Sequence, residues 1–161
     1  MKKSGADVVL ADTRAGIAEA VRAVFEHFGG GRRLLRASRD VYIKVNGVGS
    51  EAFVYTDPEV LRATIRYFQE CGARTVYVME NCTQANFTRL VFHVTGYRQI
   101  CKDTGAVPVY LDETTAVPVF LEGIEEFIDL SAFVFERLIE GRAENLYLSL
   151  PKLKTHSMSQ V

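Results

Sequence analysis

The chain predicts an α/β fold, a three-layer sandwich around a mostly parallel sheet, and three observations carry that expectation. Short apolar runs alternate along the chain with longer amphipathic segments, so strands alternate with helices. Each helix can then serve as the crossover that returns the chain to the same end of the sheet, which makes neighbouring strands parallel. The 161 residues, 48% hydrophobic and 24% charged, suffice for a filled core and are too apolar for a disordered segment. A single α/β domain over residues 1–161 is therefore expected, with no internal repeat, low-complexity tract or linker.

Taken in order, Asp7–Ala11 reads as a first strand, and Asp12 or Thr13 is placed to cap the helix after it. Ile17, Val21, Val24, Phe25 and Phe28 recur at helical spacing until Gly29, Gly30 and Gly31 end the run. Arg32, Arg33, Arg36 and Arg39 crowd the connector. Without interleaved aromatics they read as a solvated surface rather than a nucleic-acid contact. Val41–Val45 is the second strand. The loop from Gly47 to Ala52 matches G-x-G-x-x-A in form, but Phe53, Val54 and Tyr55 follow as an extended run where the dinucleotide fingerprint requires a helix. A turn is expected instead, with Gly47 and Gly49 letting backbone N–H groups approach an anion.

Thr56 and Glu59 have capping-box spacing with Pro58 in the first turn, and Val60, Leu61, Thr64, Ile65 and Phe68 make one apolar face before Gly72. Thr75–Met79 is a compact strand with Glu80 and Asn81 at its end. Thr83 is placed to cap a helix whose core face is Phe87, Leu90, Val91 and Val94, stopped by Gly96. Tyr97–Thr104 makes a shorter helix ended by Gly105. Ala106–Leu111 is a strand followed by Asp112 and Glu113. Val117–Leu121 carries Pro118 and suits an edge or cover strand, Phe127–Leu130 is short and apolar, and Ala132–Glu140 reads as helix. In the last strand Leu146, Leu148 and Leu150 alternate with Tyr147 and Ser149, until Pro151 removes a backbone donor.

Directly after that break come Lys152, Lys154, Thr155 and His156. Ligands of open α/β sheets sit beyond the carboxyl ends of the strands. The candidate site is therefore drawn from those ends. Lys44, Asn46, Asn81, Lys152, Lys154 and Thr155 are the candidates to bind an anion, His156 and Glu80 those to move a proton, and Asp112 and Glu113 lie nearby. His93 and His27 stand alone on their helices and read as surface residues.

Bulk properties narrow the partners. A net charge of −1 predicts neither nucleic-acid nor membrane affinity, so any basic site is local. Cys71, Cys82 and Cys101 are widely spaced, with no Cys-x-x-Cys and hence no zinc-ribbon or iron–sulfur cluster motif. An odd cysteine count without a secretory start fits a reducing, cytoplasmic setting. No apolar run reaches the ~20 residues of a membrane span.

Four stretches together carry a resemblance. Ile43-Lys44-Val45-Asn46, Thr56 to Glu59, Cys71-Gly72-Ala73 and Leu150 to His156 resemble the domain-of-unknown-function 362 family, from about Gly29 to His156. The family commonly has proline where Val45 stands. Many of its members carry a ferredoxin-like iron–sulfur module, and since this chain lacks the cysteine pattern, no cluster is carried over and the cofactor stays unassigned. In the family the Lys-Thr-His element is followed by more sheet and a Lys-Asn-Gly segment. The resemblance therefore implies the N-terminal part of a larger, here incomplete domain, with an exposed sheet edge that favours a homo-oligomer or a partner chain.

Three functional readings follow. The first is an anion-binding site for a carboxylate or phosphate, as part of a small-molecule enzyme. The second is a divalent-metal site of His156 with Glu80, Asp112 or Asn81. The third is a non-catalytic module whose basic terminus docks a partner or a redox domain.

Overall fold

The computed structural model of the chain describes residues 7–35, 40–48, 51, 53–82 and 87–154. Four strands form one all-parallel sheet in the order β3–β2–β1–β6: β1 Asp40–Val45, β2 Thr75–Glu80, β3 Val107–Tyr110 and β6 Asn145–Leu150. The architecture is α/β. From β1 the chain crosses through α3 (Pro58–Glu70) to β2, then through α4 (Thr88–Val94) and α5 (Tyr97–Thr104) to β3. It then returns to the far side of β1 as β6, so the strand order reverses between β1 and β6. Among the described residues the outer edge of β6 has no strand beside it.

The helix-covered face of the sheet is the core. Val41, Ile43 and Val45 alternate onto it and meet Leu61, Ile65 and Phe68 of α3, all of them buried. Each such side chain contributes about 1.5–3 kcal/mol by leaving water. α1 (Ile17–His27) lies against α3 and sets Phe25 edge-on to Phe68, with ring centroids 4.8 Å apart. A short α2 (Gly31–Leu35) follows it, and the Gly31 N–H donates to the Tyr67 hydroxyl at 2.7 Å.

On the opposite face Tyr77, Tyr42 and Tyr147 stand side by side on β2, β1 and β6. The Tyr42 and Tyr77 rings stack at 4.8 Å. Phe133 covers both from α6 (Ala132–Val134), which continues as a wider π-helical run, Phe135–Glu140. The remaining strands, β4 (Ala116–Leu121) and β5 (Glu126–Ser131), form an antiparallel ribbon that among the described residues pairs only with itself.

Four local expectations are corrected. Asp7–Ala11 is irregular rather than a strand; Val8 is 81% and Leu10 94% exposed, and an apolar run that neither joins a ladder nor buries its side chains gains nothing from being held extended. Neither Asp12 nor Thr13 caps α1. Gly16 holds that position without a side-chain bond, and Asp12 accepts from Arg14 instead. The cap of α3 is Asp57, accepting from Glu59 N at 2.8 Å and Val60 N at 3.3 Å, one residue beyond Thr56. In α4 only Val91 of the expected apolar face is buried, together with Phe92 and Thr88; Phe87, Leu90 and Val94 are about half exposed. Phe92 reaches the core by packing edge-on against both Tyr97 and Tyr110, which turns the helix about its axis. Thr83 lies outside the described residues.

Candidate functional site

Because all four strands are parallel, their carboxyl ends share one rim. At its centre lies Glu80, the last residue of β2 and only 3% exposed. Its Oε1 accepts from Lys44 Nζ at 2.6 Å and from the Asn81 N–H at 2.8 Å, and its Oε2 accepts from the Gly47 N–H at 2.9 Å. A buried carboxylate is costly unless its charge is met by donors, and here three donors meet it. Lys44 reaches it from the adjacent strand, since Lys44 is in register with Met79. The lysine also donates to its neighbour's carbonyl, Val45 O, at 3.2 Å, while its side chain remains 37% exposed.

The loop after β1 is drawn in by the same contacts. A Cβ built on Gly47 would stand 3.1 Å from Val91 Cγ1, so a larger residue would fit only if Val91 shifted by a few tenths of an ångström, while 3.6 Å to Glu80 Cγ is ordinary contact. The Gly47 carbonyl accepts from the Cys82 thiol at 2.5 Å. Burial pushes that thiol above its ordinary pKa, so Cys82 is a neutral donor and not a nucleophile.

Between β1 and β6, where the strand order reverses, the crevice is filled by the protein itself. The buried Thr56 hydroxyl donates to Leu150 O at 2.5 Å and accepts from Asn46 N at 2.9 Å. The Tyr97 phenol donates to Thr56 O at 2.6 Å and Asn46 O at 3.2 Å. Burial raises the Tyr97 pKa, which keeps it a donor at any physiological pH. Thr56 and Tyr97 therefore tie the ends of β1 and β6 together. Their spacing in sequence marks a helix start and a helix face, and no local pattern signals this role.

The expected site residues separate into groups. Lys44, Glu80 and the Asn81 backbone meet at one point, and Asn46 contributes its backbone to the Thr56–Tyr97 tie. Lys154 Nζ donates to Val54 O at 3.0 Å, and Lys152 Nζ lies 5.9 Å from the centre of the Phe53 ring. Both lysines thus lean on the loop that follows β1, and among the described residues neither has a carboxylate at ion-pair distance. Glu113 is held away by Arg89, in a two-pronged pair at 2.9 and 2.5 Å. Asp112 Oδ2 accepts from Thr88 N at 3.3 Å, while its Oδ1 is buried without a partner. Thr155 and His156 lie outside the described residues.

Residues 41–161 match the family model described as Domain of unknown function (DUF362). The chain belongs to this family. The match takes in every element of the rim, from β1 through β6. No curated protein and no solved structure was found to match the chain. For this member of the DUF362 family, no described helix is long and apolar enough to cross a membrane. No group of three or more His, Cys, Asp or Glu among the described residues could hold a metal ion. The metal alternative depends on His156, which lies beyond them.

Proposed function

We propose that the carboxyl-end rim of the sheet binds a small anion, a carboxylate or a phosphate, through Lys44 with Lys152 and Lys154. The observation that carries this reading is the state of Lys44. An ammonium has three N–H donors. Among the described residues Glu80 and Val45 take two, at 2.6 and 3.2 Å, and leave one on a side chain that is still 37% open to water. A lysine held this way loses little further rotamer freedom when it meets a ligand, and that lowers the cost of binding.

Glu80 acts here as a positioning residue, since its oxygens already accept three hydrogen bonds. Lys152 and Lys154 add charge on the neighbouring strand end. In an enzyme built on this rim, Lys44 would polarise the bound oxyanion, and His156 is the residue proposed to move the proton.

Calorimetric titration with inorganic phosphate and with succinate tests the reading. Saturable binding of at least one, with Kd below about 10 mM, is expected. Lys44→Met should weaken it roughly tenfold and Lys152→Ala by a smaller factor. If neither anion binds saturably to the wild-type chain, the rim is not an anion site.

A further inference from the structure

We propose that the β4–β5 ribbon is an arm for a second copy of this chain, seated on the outer face of α4 and α5. Two features of the ribbon point outward. A two-stranded ribbon is marginal in water by itself, and among the described residues this one pairs with no other strand. Its outer face is also bare. Phe120 and Phe127 stand directly opposite each other, with ring centroids 5.1 Å apart, and are 49% and 70% exposed. An exposed aromatic pair near the tip of a ribbon is the composition of an interface core rather than of a solvated strand.

The charge around that pair selects the partner. Glu122 and Glu125 lie in the turn next to it, Glu126 precedes Phe127 on β5 and Asp129 follows on the same face, and no Lys, Arg or His occurs anywhere between Asp103 and Glu136. Two ribbons meeting face to face would oppose acid to acid, which disfavours pairing of arm with arm. The complementary surface must be apolar and basic.

The same chain presents one. The turned helix α4 leaves Leu90 and Val94 52% and 48% exposed. Beside them His93, Arg98 and Lys102 line a hollow of about 310 Å³. Among the described residues Arg98 and Lys102 have no ion-pair partner. Apolar centre meets apolar centre and acidic rim meets basic rim, so two copies related by a two-fold axis can exchange arms and close.

Sedimentation equilibrium tests this on the full chain. A dimer is expected at about 50 mM salt, and it should weaken as salt rises because the rim charges become screened. Phe127→Asp should weaken association at least about tenfold without changing the unfolding curve, since the ring is exposed. Arg98→Glu with Lys102→Glu should do the same, as should Glu122→Lys with Glu125→Lys and Glu126→Lys. Mixing these last two chains restores opposite charge at both seats, so the mixture should associate although neither chain does so alone. A wild-type chain that stays monomeric at about 1 mM overturns the proposal. So does a dimer indifferent to Arg98→Glu with Lys102→Glu, or a mixture that fails to associate.

Discussion

The sheet has a buried carboxylate at each end, and the two are held differently. At the amino ends Asp40, 2% exposed, opens β1 and is gripped by the Arg74 fork at 2.9 and 2.5 Å. At the carboxyl ends Glu80, 3% exposed, closes β2 and is met by Lys44 together with two backbone N–H groups from the loops beyond β1 and β2. One acid is met chiefly by the Arg74 guanidinium, with the Thr75 side chain beside it. The other organises two loops and a lysine. Among the described residues, backbone N–H groups meet the carboxylate at the carboxyl ends, whereas a side-chain fork meets the one at the amino ends.

Four substitutions probe the contrast. The largest effect is expected for Glu80→Ala, which orphans two N–H groups and an ammonium together and should cost about 3 kcal/mol in urea unfolding. Added formate should recover part of that loss by entering the vacated space, whereas Asp40→Ala should show no such recovery. Equal formate responses at the two ends would erase the distinction.

Next comes Thr56→Val. It keeps the shape but removes the hydroxyl shared by Leu150 O and Asn46 N, and should cost about 2 kcal/mol. Because the substitution loosens β6 from β1, amide exchange should accelerate at Leu148 and Leu150 and not at Val76.

Asp40→Asn should have the smallest effect, about 1 kcal/mol near neutral pH, because Arg74 is 63% exposed and water screens the pair. Its pH dependence has a definite sign. The hydrogen bond from Arg74 holds the Asp40 carboxyl below the usual carboxylate range, so the folded state favours the ionised form. That stability is present above the unfolded pKa near 3.9 and is lost as pH falls through the lower folded value. The difference between wild type and Asp40→Asn should therefore shrink below about pH 4.

Much of the frame is legible in residue order. Short apolar runs mark five of the six described strands nearly to their ends, and Gly72, Gly96 and Gly105 stop their helices with φ between +74° and +100°, where glycine is favoured. Parallel pairing then forces Lys44, Glu80, Lys152 and Lys154 onto one rim. Two of the failures share one cause. Thr56 and Asp57 are both competent caps, and the choice fell to Asp57 because the Thr56 hydroxyl bonds Leu150 O, a partner 94 residues away. The turned α4 arose likewise, from Phe92 finding Tyr97 and Tyr110.

Sequence alone determined the class of fold, the place of the strand ends and the chemistry delivered to them, because those follow from spacing of two or of three to four residues along the chain. Tertiary structure alone decided which cation meets which acid. That choice depends on strand order and register, with β1 set between β2 and β6, and such pairings are made between residues that no local period connects.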